Sequence, residues 1–359
     1  MRFGDNRHRG CRLYGVTSDP SRQPCRNLVP YVARPRETSP LSGPARHQPQ
    51  RYSMRIPDDF KNSVCFLCVE TGKDSPNAYH YLGTAFFVRI PVNVPSPLGI
   101  GVVSFVYLVT ARHCVERSAH YGPLKARLNR RNGTSIIVGL PDRWTFHDND
   151  VSDIAVLRIG LPRLSGASEA QQQVVEDVDF RALPPATFAT AEVVQREEIG
   201  IGDELFIVGL FTGRHGDSRN IPIIRTGVIA SMPEEPLVDP GGRTFNAHLV
   251  EIRSIGGLSG SPVFVYLPQT RQTQNDRCAS TAAPRFLLLG MIRGHWDLHG
   301  KGSVDYAIDE DGKINTGIAV VTPFQEIWEV LMNDEYQKQR KKFEANPDDW
   351  APGYSGVES

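Results

Sequence analysis

From about residue 62 onward the sequence is a succession of short β-type runs: SVCFLCVE, YLGTAFFVRI, GVVSFVYLVT, TSIIVGL and DIAVLRI, then ELFIVGLF, PIIRTGVIAS, HLVEIR, SPVFVYL, RFLLLGMIR and TGIAVV. The runs are rich in β-branched and aromatic residues and are separated by Gly, Pro, Asn and Asp, the pattern of a sandwich or barrel. An all-β fold is expected. A polar stretch, residues 161–183, divides the runs into two groups, so two β domains are expected, at 62–160 and 184–322. A length of 359 residues accommodates both, and 40% hydrophobic against 22% charged residues excludes a wholly disordered chain.

Charge narrows the partners. The chain has 40 Lys+Arg against 40 Asp+Glu, which points to neither a nucleic-acid nor a membrane-surface partner. No apolar run approaches the ~20 residues that a membrane-spanning helix needs, so a soluble protein is expected. The balance holds only in total, because residues 1–53 carry ten Arg and no Lys against Asp5, Asp19 and Glu37. This stretch is rich in Pro, Arg and Ser and has no apolar period, and residues 1–61 are expected to form a disordered leader. Its composition suits an organelle transit peptide, yet Pro interrupts it repeatedly and amphipathic spacing is missing; Met54 as the true start is the competing reading.

The leader lacks the apolar centre of a secretion signal, which places the protein in the cytoplasm and its six cysteines in a reducing compartment. Cys65 and Cys68 form a C-x-x-C, but no second Cys/His pair stands at metal-ligand spacing, so they are expected in the core, and neither a metal nor a cofactor is implied. Near the end, Thr322, Pro323 and Gln325 read as a capping box that starts a closing helix over 323–345. Phe324, Ile327, Trp328 and Leu331 give that helix one apolar face. The polar EYQKQRKKFE beyond is expected to project into solvent, followed by a tail at 346–359.

Three segments carry chemistry: Thr110-Ala-Arg-His113-Cys114 after a strong strand, Asp153-Ile-Ala-Val-Leu after a polar turn, and Gly256-Gly257-Leu258-Ser259-Gly260-Ser261-Pro262. A serine hydroxyl is a poor nucleophile until an imidazole takes its proton. The imidazole in turn needs a carboxylate to fix its tautomer and stabilise its positive charge. Glycines around the serine let successive N–H groups turn inward, as an oxyanion hole requires. Asp148 and Asp150 are weaker candidates than Asp153 because neither abuts the apolar run. His120, His147 and His299 lack comparable context.

TARHC, DIAVL and GLSGSP, in that order and separated by 40 and 106 residues from His to Asp and from Asp to Ser, resemble the trypsin-like serine peptidases. The order of the second group of runs is most similar to the bacterial HtrA/Deg-type branch, without a PDZ domain. The resemblance covers residues 62–332 and implies a chymotrypsin-like pair of six-stranded-type β-barrels with a C-terminal helix. It also implies a serine endopeptidase acting on polypeptides through an acyl-enzyme. Carried over residue by residue, His113 is the general base, Asp153 its orienter and Ser259 the nucleophile, with the amides of Gly257 and Ser259 as the oxyanion hole. Ser261 stands where the family has Gly and reads as a small loop residue.

The family's zymogen switch is not expected. The position before the nucleophile is Leu258 rather than an Asp able to anchor a new amino terminus, so the oxyanion loop must be held by packing or by another partner. Cys114 has no partner in YLGTAFFV and is expected as a free buried thiol. The resemblance places a specificity pocket at Arg253, Arg293, Gly294 and His295. Those arginines either receive an acidic substrate side chain or turn away and leave a small apolar pocket. The competing function is a catalytically silent or switch-controlled binding module of the same fold. The oligomeric state is left open.

Overall fold

The computed structural model describes residues 54–73, 78–95, 102–159, 177–239, 241–252, 257–272, 278–280, 283, 285–299 and 313–347. The expectations for residues 1–53, for most of the 161–183 stretch, for Arg253 and for most of the tail fall outside the described residues. Among the described residues no helix is long and apolar enough to cross a membrane.

The all-β expectation is borne out. Strands β1 (Val64–Glu70), β2 (Tyr79–Pro95), β3 (Val102–Thr110), β4 (Lys125–Asn129), β5 (Ser135–Gly139), β6 (Thr145–Phe146) and β7 (Ala155–Ile159) make one antiparallel sheet in the order β5-β4-β1-β2-β3-β7-β6. The second group contributes β8 (Glu204–Gly209), β9 (Ile223–Ser231), β10 (Leu237–Val238), β11 (Thr244–Phe245), β12 (His248–Glu251), β13 (Pro262–Leu267), β14 (Thr270–Gln272), β15 (Cys278–Ser280), β16 (Arg285–His299) and β17 (Lys313–Pro323). Six of them close a barrel in the order β12-β17-β16-β13-β8-β9, while β10–β11 and β14–β15 are small hairpins. The fold is chymotrypsin-like. Among the described residues its first unit has seven strands, and their hydrogen-bonded ladder is open.

Period-two side-chain alternation explains why the second-group strands read as continuous apolar runs. Leu205 and Ile207 of β8, Val263 and Val265 of β13, and Leu287 and Leu289 of β16 fill the barrel interior. Their alternates Phe206, Val208, Phe264 and Leu288 face outward, into a core shared with Leu67, Phe86 and Phe87 of the first sheet. Both faces are buried, so neither face carries polar residues. Cys65, Cys68 and Cys114 are free and buried. Burial pushes the Cys68 thiol up to about 12 and the Cys65 thiol higher still.

Three features differ from the sequence expectation. Residues 54–61, assigned to the leader, pack on the fold: a short 3₁₀ turn, Asp58–Ser63, presents Phe60 to the rings of Phe206, Phe264 and Phe286 at 5.2, 4.7 and 5.3 Å. The capping box does not form. The closing helix runs Phe324–Leu331 with Pro323 at its N-cap, and Gln325 Oε1 accepts instead from the amide of Ala191 at 3.1 Å. The polar segment beyond does not project into solvent. It forms a separate helix, Asp334–Ala345, capped by Asn333 and docked through Tyr336, Arg340 and Phe343. Spaced at four and three residues, these lie on one helical face. Tyr336 donates to Val156 O at 3.1 Å, and Arg340 donates to the Tyr107 hydroxyl at 2.7 Å and to Leu331 O at 3.0 Å.

Phe60→Ala removes a half-buried ring with three aromatic neighbours and is expected to cost about 2 kcal/mol, below the range for fully buried Phe. Urea denaturation checks this, and an unchanged midpoint would contradict the packing role of residues 54–61.

Candidate active site

Strand register brings His113 and Asp153 together. β3 and β7 are antiparallel with Thr110 opposite Ala155, so the residues just after Thr110 and just before Ala155 emerge at the same edge. Beyond Ala111 the chain turns into a short helix, Arg112–Ser118, with His113 in its first turn. The Asp153 carboxylate then binds His113 twice, accepting from the backbone amide at Oδ1 (2.9 Å) and meeting ring Nδ1 at Oδ2 (2.7 Å). The Asp153 carbonyl accepts from the Arg112 amide at 3.2 Å, which ties the two segments a third time. Side-chain exposure is 28% for His113 and 10% for Asp153, so the pair is largely shielded from water.

Burial is the strongest single influence on the His113 imidazole and opposes its charge. Hydrogen bonding and charge at Asp153 and Cys114 outweigh it and raise the pKa well above the usual 6.5. The other ring nitrogen, Nε2, lies 3.6 Å from Cys114 Sγ. No hydrogen bond joins it to the Ser259 hydroxyl.

Ser259 is nonetheless close by, because Cys114 Sγ also lies 3.9 Å from the Ser259 carbonyl. Its loop is held at several points: Ser259 O accepts from Thr84 N (2.9 Å), Gly260 N donates to Ile292 O (2.8 Å), and Ser261 N donates to Leu258 O (2.9 Å). Leu258 is fully buried in the barrel core, so packing contributes to holding the loop, one of the two alternatives the sequence leaves open. Gly260 has φ +79°, and a Cβ there would come within 2.1 Å of Thr84 O, which requires glycine on both counts. Gly257 has φ +95°. Its amide and that of Ser259 donate to no acceptor among the described residues. Ser261 is buried, and its hydroxyl has no hydrogen-bond partner among the described residues.

The Asp153 loop is clamped from the second unit, an arrangement the sequence did not signal because every partner is distant in the chain. Glu329 meets His147 at 3.1 Å, Arg243 meets Asp150 at 3.4 Å, Arg293 donates to Val151 O at 2.8 Å, and Ser152 donates to Glu326 at 2.7 Å. Glu326 is largely buried, and desolvation raises its pKa despite the Ser152 bond. Arg293 is engaged there and its guanidinium lies 3.9 Å from the centroid of the Phe245 ring. Of the other expected pocket residues, Gly294 follows on β16, while Arg253 and the His295 side chain are outside the described residues.

No family model matches the sequence, and no curated protein matches it. Among solved structures the chain is similar to Deg5, with 14% identity, a TM-score of 0.39 and coverage of 76% of this chain and 88% of that one. It is also similar to the HtrA-type protease AlgW with a decapeptide, at 15% identity and TM-score 0.38 over 79% of this chain and 66% of that one. An inactive form of Rv3671c from M. tuberculosis H37Rv gives 15% identity and TM-score 0.36 over 76% and 87%. The fold assignment rests on this chain's own strand order and barrel closure.

A histidine whose folded pKa is raised contributes its stabilisation in full below its ordinary value, about 6.5, and loses it as pH climbs through the raised value. At pH 7.5 the His113 ring is therefore expected to remain protonated by NMR titration, and in Asp153→Asn to titrate at a lower pH. A wild-type His113 that titrates at or below 6.5 would contradict the electrostatic reading.

Proposed function

We propose that the chain is a serine endopeptidase. The observation that carries this reading is the double hold of the Asp153 carboxylate on His113, beside a glycine-flanked serine loop. In the proposed reaction Ser259 Oγ attacks the carbonyl carbon of a peptide bond and its proton passes to His113 Nε2. The oxyanion of the tetrahedral intermediate is received by the amides of Gly257 and Ser259. Collapse breaks the C–N bond, and the departing amine takes the proton from His113. Water then attacks the acyl-enzyme by the reverse sequence, releasing the acid and restoring Ser259.

The reading requires Nε2 to turn from Cys114 Sγ to the serine hydroxyl, and hydrogen bonds at active sites commonly tighten only when substrate binds. The raised pKa sets the pH dependence. The base must be neutral to accept a proton, so kcat/KM is expected to rise with pH toward the raised value; a profile that falls over that range would contradict His113 as base.

Specificity follows from where Arg293 points. Its guanidinium donates to Val151 O and stacks on the Phe245 ring, which holds it toward the Asp153 loop and not toward a substrate carboxylate. The reading favoured is a small apolar pocket, with cleavage after residues such as Ala, Val or Leu. A peptide-library profile tests it, and strong cutting after Asp or Glu would overturn it.

The function itself is tested by hydrolysis of an unfolded protein substrate. Wild type should cleave it, and Ser259→Ala should lose at least about a thousandfold in kcat with the fold intact. Absence of cleavage by well-folded wild type under all conditions would favour a binding module, and undiminished cleavage by Ser259→Ala would remove Ser259 from the role.

A further inference from the structure

The loop that carries Ser259 is fastened to the first sheet by one side chain outside the expected triad. Thr84 of β2 is fully buried, and all of its polar groups are used. Its hydroxyl donates to Gly257 O at 3.0 Å and accepts from the Leu210 amide at 2.9 Å. Its amide donates to Ser259 O at 2.9 Å, and its carbonyl accepts from the Thr110 hydroxyl at 2.7 Å. Four hydrogen bonds from three segments thus converge on one residue: two from the nucleophile loop, one from the end of β8 and one from the end of β3.

The geometry assigns Thr84 as the positioning residue of the oxyanion loop, an inference that rests on the peptidase reading. The peptide unit bearing the Ser259 N–H lies between two units whose carbonyls, Gly257 O and Ser259 O, Thr84 holds. Gly257 in turn sits against Leu210 and Thr212, since a Cβ placed on it would come within 3.0 Å of both side chains. The Thr84 hydroxyl therefore links the Gly257 carbonyl to the backbone on which Gly257 rests. Removing that bond frees the Gly257–Leu258 peptide to rotate, and an adjacent amide that must meet a developing oxyanion moves with it. Thr84 touches no substrate atom. It acts by keeping two amides aimed before substrate arrives, which is the preorganisation that electrostatic catalysis needs.

The test compares wild type, Thr84→Val, Thr84→Ser and Thr84→Ala for their second-order rate of labelling by a peptidyl diphenyl phosphonate, with labelling at Ser259 checked by mass spectrometry. A parallel measurement takes kcat and KM on a peptide substrate. Thr84→Val keeps the shape and lacks the hydroxyl; it should label at least ~10-fold more slowly, with the loss in kcat and KM changed less than threefold. Thr84→Ser should restore labelling to within about threefold of wild type, a recovery that a purely space-filling role does not predict. Should Thr84→Val fail to fold, Thr84→Ala carries the same comparison. Equal labelling of wild type and a folded hydroxyl-less variant overturns the role of Thr84 and leaves the peptidase reading standing. A folded wild type that is never labelled at Ser259 overturns both.

Discussion

The first sheet and the barrel meet over a buried threonine, Thr84. Thr84 belongs to the first sheet by backbone pairing, yet its amide and hydroxyl bind the serine loop and the end of β8 in the second unit. A buried polar group left unpaired costs roughly 1–3 kcal/mol, so these donors and acceptors hold the loop and strand to a narrow set of positions. The contact works because two glycines make room. Gly260 admits the Thr84 carbonyl, and Gly83 leaves space for Cys114 Sγ and the Ser259 carbonyl, each of which would lie within 2.8 Å of a Cβ there.

A second set of constraints acts on the acid. Four contacts from the second unit and the closing helix reach residues 147–152 and fix the approach to Asp153. The carboxylate then spends both oxygens on His113, one on the backbone amide and one on the ring. The carboxylate is thereby fixed in position and in orientation, and the imidazole with it. The last helix supports the arrangement from behind: Tyr336 bonds Val156 of β7, and a buried Arg340 is satisfied by a tyrosine hydroxyl and a carbonyl rather than by a carboxylate.

Much of the fold was legible because strands leave a local trace. Runs such as ELFIVGLF and SPVFVYL are apolar on both faces, and the structure explains this by one face lining the barrel and the other packing on the first sheet. His113 and Asp153 were legible through their strand context, since each sits at the end of an apolar run that the sheet places side by side. What stayed hidden was tertiary. Thr84 is one small residue after a glycine in a strong strand, and its partners lie 126 and 173 residues away. Glu326 and Arg293 likewise act across long separations. The last helix was misjudged because eight or more polar residues mask three docking positions, which only helical spacing on a known partner surface reveals. The capping box failed for a local reason: Pro323 takes the cap position with extended backbone, and Gln325 is drawn to Ala191 instead.

In the proposed reaction a serine loop preset by the first sheet presents Ser259 to His113. The most direct measurement of this is a crystal structure of the chain after reaction with a peptidyl diphenyl phosphonate. The account predicts phosphorus on Ser259 Oγ, the phosphoryl oxygen between the amides of Gly257 and Ser259, His113 Nε2 turned to the adduct, and the Thr84 hydroxyl still on the Gly257 carbonyl. A reaction at Ser261 or elsewhere, or an adduct on Ser259 whose phosphoryl oxygen points away from those two amides, would contradict it.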